Sequence, residues 1–255
     1  MNTVNNCCNK GHPQDKDRRN WLKAGLATGS VLAGATLIPA TVSAASLTRQ
    51  QRDAMAPSQV VDMLRDGNAR FRSGRMQSHD FLAQKRATAS GQYPAAVVLS
   101  CIDSRAPAEI IFDTGIGDAF GARIAGNIAT SELIGSMEFA CAVAGAKLVL
   151  VMGHTACGAI AGAINKVQLG NLSGLLERIQ PAVDLTQYGG ERTGDDPGFV
   201  NAVARMNVIR TVGLVREQSP LLAGLERQGD IGIIGAMYDL SDGMVTFLED
   251  IQAGG

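Results

Sequence analysis

Cys101-Ile102-Asp103-Ser104-Arg105 and His154-Thr155-Ala156-Cys157 are the two stretches of this 255-residue sequence whose residue types and spacing can do chemistry. Between them they offer two thiolates and one imidazole to a single divalent ion. Soft sulfur combined with imidazole selects zinc over magnesium or calcium. Three protein ligands leave a fourth position open, as a catalytic zinc requires, whereas a fourth protein ligand would close the site into a structural one. Asp103 and Arg105 stand two and four residues beyond the first cysteine, so a carboxylate and a guanidinium lie close to that open position. The pattern predicts a zinc enzyme that hydrolyses or hydrates its substrate.

Two thiolates neutralise the charge of the ion, which leaves bound water less acidic than three histidines would. The surroundings must then help. As an ionised carboxylate, Asp103 can accept a hydrogen bond from zinc-bound hydroxide and orient it. Unrestrained, the same carboxylate can bind the zinc and close the site. A bidentate contact from Arg105 holds it off, because the guanidinium fork matches a carboxylate. The alternative is a plain surface ion pair, worth little to stability; nearness to Cys101 favours the catalytic reading. Cys157 stands where a helix should begin, which favours its thiolate form. The amide of Gly158 can donate to an oxygen near the metal.

The elements that must position these groups are legible around them. A lone cysteine in an apolar run is usually a small buried hydrophobe, and a single His-x-x-Cys supports metal binding only weakly. Here, however, Cys101 directly follows the apolar, β-branched run 95–100, and His154 follows the similar run 147–152 after one glycine. Both clusters are therefore expected just past the C-terminal ends of buried strands, the edge of an open α/β sheet where ligand sites assemble. Around them the pattern predicts a helix from Pro57 and Ser58 to about Gly74, a further helical stretch at 81–88 and a short strand at 119–124. A helix is expected over 131–144, capped by Ser131 and ended by Gly145. A small-residue helix follows the His-x-x-Cys, and 189–198 is a Gly/Asp loop. Phe199, Val203, Met206, Ile209, Val212 and Val215 mark an amphipathic helix, and 231–238 with 244–248 form closing strands around a Ser-Asp-Gly turn. Alternating strands and helices predict an α/β fold, a single domain with a mainly parallel central β-sheet flanked by helices.

At 45% hydrophobic residues the chain can fill one sizeable core. Residues 1–44 are expected to stay outside it. A polar stretch with Lys10, Lys16, Arg18, Arg19 and Lys23 precedes a weakly apolar segment at 24–38, and Val42-Ser43-Ala44 offers small residues for signal peptidase. Asp17-Arg18-Arg19-Asn20-Trp21-Leu22-Lys23 resembles the twin-arginine motif, which addresses already folded proteins across the bacterial inner membrane. An uncleaved anchor is the alternative, although the Gly-rich, Thr-containing segment is a poor spanning helix. The expected organisation is a twin-arginine signal peptide at 1–44, a loose leader at 45–57 and the zinc domain at 58–255, located in the periplasm. Without residues 1–44 the chain keeps 18 basic and 22 acidic residues, a net charge of −4. No basic patch interleaved with aromatics occurs, which argues against nucleic acid as a partner. Cys101, Cys141 and Cys157 remain, too few for a disulfide framework. Folding and metal loading before export would protect the two ligand thiols from an oxidising compartment.

The sequence resembles the β-class carbonic anhydrases from about Ser58 to Asp250. The resemblance is carried by Gly67-Asn68-Ala-Arg70-Phe71, Gly91-Gln92-Tyr-Pro94, Cys101-Ile-Asp103-Ser-Arg105 with Pro107 and Glu109, Gly117-Asp118-Ala-Phe120, Arg123-Ile-Ala-Gly126-Asn127 and Gly153-His154-Thr-Ala-Cys157-Gly158. It implies reversible hydration of carbon dioxide to bicarbonate and a proton by zinc-bound hydroxide, with one Zn2+ per chain on Cys101, His154 and Cys157. Asp103 and Arg105 would form the dyad, and the Gly158 amide would touch the bound anion. It also implies a homodimer or higher homo-oligomer with the cleft at the dimer interface, Gln92 on a substrate oxygen and Phe120 as an apolar wall. Phe139 replaces a tyrosine common in one subclass. Val98 and Ser100 replace the Trp and Gly of the subclass regulated by a second bicarbonate site, so an open site is expected, with Asp103 off the metal.

Two other readings share these ligands: hydrolysis of carbonyl sulfide or carbon disulfide, and a catalytically silent zinc protein. Retention of Asp103, Arg105 and Gln92 counts against the silent form. Cys141 is expected in the core. His79, in a polar stretch, reads as a solvated surface histidine that could relay protons. Gly115-Ile-Gly117 lacks the context of a dinucleotide loop.

Overall fold

A computed structural model describes residues 46–248. The signal peptide expected at 1–44, with its twin-arginine-like motif, lies outside the described residues, as do Ala45 and the last seven residues. The elements follow in the order α1 (Arg49–Asp53), α2 (Pro57–Arg72), α3 (Phe81–Thr88), β1 (Ala96–Ser100), α4 (Ala108–Ile111), β2 (Ala119–Arg123), α5 (Ser131–Glu138), β3 (Leu148–His154), α6 (Gly158–Ile164), α7 (Gly170–Glu177), α8 (Gln180–Leu185), α9 (Pro197–Gln218), α10 (Pro220–Gln228), β4 (Gly232–Tyr238) and β5 (Val245–Leu248). The strands form one sheet in the order β2-β1-β3-β4-β5. The first four are parallel, and β5 closes the sheet antiparallel to β4. The α/β class and the mainly parallel sheet are as expected.

β1 and β3 are buried along their whole length, which is why both read as unbroken apolar runs instead of alternating patterns. Alternate residues still point to opposite faces. Val97, Leu99, Val149 and Val151 pack with Val208, Val212 and Val215 of α9. Val98, Leu148, Leu150 and Met152 pack on the other side with Val60 and Leu64 of α2 and with Phe112. A third cluster joins Cys101 and Cys157 to Ile160, Ile179 and Phe199, beneath α6, α8 and α9. Truncating a side chain such as Leu64 to Ala in a core of this kind costs about 2–5 kcal/mol.

Several expectations are corrected. The strand expected to end at Met152 continues through His154, because Gly153 and His154 still pair with Met237 and Tyr238 of β4. The helix expected over 131–144 is α-helical only to Glu138 and then widens into a π-turn at Phe139–Val143. Its cap is Thr130, whose side chain accepts from the Leu133 amide. Apolar spacing does not distinguish i→i+5 from i→i+4 bonding, so this widening has no sequence signature. The segment expected to be a loose leader carries α1 with a Thr48–Gln51 capping box. Arg52, only 5% exposed, donates to the Ala144 carbonyl, and Leu47 donates to Asp118. Helices α4, α7, α8 and α10 are not in the sequence reading; each is nine residues or fewer, too short for a clear apolar period.

His79 is not a surface residue. Its side chain is 8% exposed, its Nε2 lies 3.1 Å from Asp113 Oδ1, and its Nδ1 lies 3.3 Å from Gln84 Nε2. With Gln84 donating to Nδ1, the proton is assigned to Nε2, which donates to the carboxylate. Asp113, wholly buried at its side chain, also takes Arg70 at 2.6 Å and the Gln77 amide. Cys141 is buried in the core as expected, and burial pushes its thiol up to about 12.

Candidate metal centre

The end of β1 delivers Cys101, the end of β3 delivers His154, and the cap of α6 delivers Cys157. Their ligand atoms lie within 4.8 Å of one another, and all three residues are buried. The two sulfurs are 4.0 Å apart. Tetrahedral zinc with Zn–S bonds of about 2.3 Å sets two sulfurs about 3.8 Å apart, so the pair fits that ion. His154 Nδ1 lies 2.8 Å from the Thr155 carbonyl, which assigns it the proton and directs the bare Nε2 at the sulfurs. That Nε2 is buried and has no hydrogen-bond partner among the described residues. Ser100 Oγ and Asn127 Nδ2 are the other two such atoms, one on the last residue of β1 and one on the 3₁₀ turn Ala125–Asn127 that follows β2. Buried polar atoms are nearly always paired, so the unpaired His154 Nε2 facing two thiols fits a metal ligand.

A turn with an unusual backbone brings Cys157 round. Ala156 has φ of +51°, a left-handed conformation that costs a residue with a Cβ about 1–2 kcal/mol. Three bonds hold the turn in place. Ala156 N donates to Asn201 Oδ1 at 3.0 Å, Thr155 N to the Tyr238 carbonyl at 3.0 Å, and Leu240 N to Thr155 Oγ1 at 3.0 Å. The Cys101 side is held by Arg123, whose Nε donates to the Cys101 carbonyl and whose Nη2 donates to the Asp103 carbonyl. The Gly126 amide lies 3.4 Å from Cys101 Sγ, and Asn207 Nδ2 donates to the Gly126 carbonyl at 2.8 Å. Asn201, Asn207 and the supporting part of Arg123 had no role in the sequence reading. The available signal was two asparagines interrupting the apolar face of α9.

Asp103 and Arg105 form the expected fork. Arg105 Nε and Nη2 reach the two carboxylate oxygens at 2.9 and 2.7 Å, and the Arg105 amide adds a bond of 3.0 Å to Oδ1. These bonds hold Asp103 well below the usual carboxylate range, against the upward push of partial burial. Oδ1 thus takes two donors and Oδ2 one, and Oδ2 lies 3.8 Å from His154 Nε2. The spare lone pair is on the oxygen nearer the ligand atoms. The hydrogen bond shared with Cys157 lowers the Cys101 thiol to about 4, despite burial, and the same contact pushes Cys157 up. Metal binding requires both cysteines as thiolates, so it would release whatever thiol protons remain. Burial is the largest single influence and pulls His154 down, but the nearby Cys101 sulfur, the Thr155 carbonyl and the Asp103 carboxylate together raise it overall.

The profile of the carbonic anhydrase family matches residues 96–245, a span that contains all three ligand residues and the fork. The chain is 37% identical over 194 residues to carbonic anhydrase 2 of Mycobacterium tuberculosis, covering 74% of this chain and 91% of that protein. The chain belongs to the β-class carbonic anhydrase family. It is also 33% identical to a carbonic anhydrase of Mycolicibacterium smegmatis, over 71% of this chain and 88% of that one. Its fold is that of the Aspergillus fumigatus β-carbonic anhydrase CafA, with a TM-score of 0.61 at 24% identity over 77% of this chain and 92% of that chain. A chain from the crystal structures of two tetrameric β-carbonic anhydrases of Sordaria macrospora shares the fold at a TM-score of 0.57, over 64% of this chain and 85% of that one. The β class uses zinc, and the Cys-His-Cys cluster is able to hold it.

Not every residue expected at the site reaches it within one chain. Gln92 is exposed and precedes the start of β1, whereas Cys101 follows its end. Five strand residues separate those ends by about 17 Å. Phe120 pairs with Val97 near the same starting end, and its ring meets that of Phe139 edge-on at 6.2 Å. Gly158 opens α6 beside Cys157, and a Cβ placed on it would meet nothing within 4 Å, so the space on its side-chain side is open.

Proposed function

We propose that this enzyme hydrates carbon dioxide reversibly at the Cys101–His154–Cys157 centre, with Asp103 and Arg105 as its catalytic pair and the Gly158 amide facing the anion. The observation that carries the reading is the convergence of two buried thiols and an unpaired imidazole nitrogen, in a chain of this family. Zinc held there supplies the Lewis acidity that makes water a nucleophile near neutral pH. Asp103, ionised throughout the working range, can only accept hydrogen bonds, so its spare Oδ2 lone pair fixes where the reacting water points its proton. The Arg105 fork occupies both carboxylate oxygens and keeps Asp103 from becoming a fourth ligand, which supports the open form of the site. The relatives named above are carbonic anhydrases, which favours carbon dioxide over the sulfur gases.

A second copy of the chain supplies Gln92 and Phe120 in this reading. β2 is an edge strand, exposed Ile110 lies on the neighbouring α4, and exposed Phe139 meets its Phe120 edge-on. An unpaired strand edge beside apolar side chains favours pairing between copies, and the Sordaria macrospora relatives are tetrameric. Export through the twin-arginine route to the periplasm rests on the motif at 17–23 and suits a metal centre assembled before translocation. Among the described residues no helix is long and apolar enough to cross a membrane.

Stopped-flow hydration of carbon dioxide on purified protein, with zinc quantified in the same sample, tests the central reading. Turnover with about one zinc per chain is expected. Full zinc occupancy with no hydration from neutral to alkaline pH would overturn it.

A further inference from the structure

A second polar cavity lies apart from the metal ligands, between α8, α9 and the segment that follows the 3₁₀ turn. It has a volume of about 160 Å³ and is lined by Arg178, Arg210, Asn207, Thr211, Ile128 and Leu214 among others, with no acidic residue. Neither the Arg178 nor the Arg210 guanidinium makes a hydrogen bond or ion pair among the described residues. The acid that senses Arg178 is the fully exposed Glu132, as the last and smallest of the influences on that carboxyl. Asn207 and Thr211, 1% and 2% exposed, form the inner wall. Asn207 commits one amide hydrogen to the Gly126 carbonyl and keeps a second, and the Thr211 hydroxyl can also donate.

We propose that this cavity binds a small doubly charged oxyanion of the phosphate or sulfate type. Two guanidinium groups facing one cavity without a carboxylate repel each other until an anion enters, and their forks match tetrahedral oxyanions. The buried amide and hydroxyl add neutral donors, which orient such an ion without cancelling its charge. The apolar wall from Ile128 and Leu214 limits the cavity to a small guest. None of the three metal-ligand residues lines the cavity.

Calorimetric titration of the zinc-loaded protein with inorganic phosphate and with sulfate, at constant ionic strength, tests the proposal. A saturable site is expected, weakened about tenfold or more in Arg210→Gln and in Arg178→Gln. Zinc content and hydration rate should be unchanged in both variants. Arg178 is exposed, so its substitution leaves the fold intact even where Arg210→Gln proves destabilising. An ion seated at the metal centre alone gives the same titration in wild type and both variants, and that result, or the absence of saturable binding, overturns the proposal.

Discussion

The two histidines of the described residues sit in buried polar clusters of opposite character. His79 has both ring nitrogens engaged, one by Asp113 and one by Gln84, and Asp113 is further bonded by Arg70 and the Gln77 amide. His154 has one nitrogen engaged by the Thr155 carbonyl and the other facing two sulfurs without a partner. The first cluster is closed and ties α2, α3 and the loop after α4 together. The second is open: among the described residues nothing pairs its imidazole Nε2, which a metal ion on the three ligand residues would do. Burial and polarity are common to both clusters. What separates a structural cluster from a metal centre is whether the lone pairs are all used.

That contrast can be broken or sharpened by substitution. The largest effect is expected from Cys101→Ala or His154→Gln, each of which should take zinc from about one per chain to near none and abolish hydration, as read by metal analysis and stopped flow. Next, Asp103→Asn should keep its zinc while hydration falls by about 10²–10⁴-fold; loss of the metal in that variant would show that Asp103 acts in assembly.

In the closed cluster, Asp113→Asn should leave zinc in place but cost about 2–4 kcal/mol of stability by urea unfolding, because Arg70 loses its carboxylate. The pH dependence has a defined sign. Burial pushes Asp113 up, yet Arg70, the Gln77 amide and His79 bring its carboxyl below the ordinary value. A depressed folded value means that the unfolded chain binds the proton more readily. The stabilisation is therefore complete above about pH 4 and is lost as pH falls through the folded value. The variant should accordingly show a flatter acid limb than wild type. The smallest effect is expected from His79→Gln, about 1 kcal/mol of stability with zinc and hydration unchanged. A matching loss of zinc in either closed-cluster variant would erase the distinction between the clusters.

The motifs differ in how much of their role could be read in advance. Cys101, Asp103, Arg105, His154 and Cys157 were legible because each cluster borders an unbroken apolar run, and such runs locate buried parallel strands. Gly67-Asn68-Ala-Arg70 carried resemblance without a mechanism, and the structure gives it one. A Cβ on Gly67 would collide with the Phe112 carbonyl oxygen, Asn68 bonds Gly243 and Val245, and Arg70 holds Asp113. His79 was misread because its neighbours in sequence are polar, whereas its partners are 34 residues away and on the next helix. The π-turn at Phe139–Val143 left no trace in the apolar pattern.

The sequence by itself determined the ligand chemistry, the strands that present it and the class of fold, because residue type and local periodicity are properties of short segments. Only the tertiary structure decided that three ligand atoms converge within bonding range of one ion. It also decided that Asn201, Asn207 and Arg123 hold them there, that Asp103 turns its less occupied oxygen toward them, and that Gln92 lies at the wrong end of β1 to reach its own chain's centre. Those outcomes depend on strand register, on a left-handed Ala156 and on contacts between residues far apart in sequence, and they exist only once the sheet has formed.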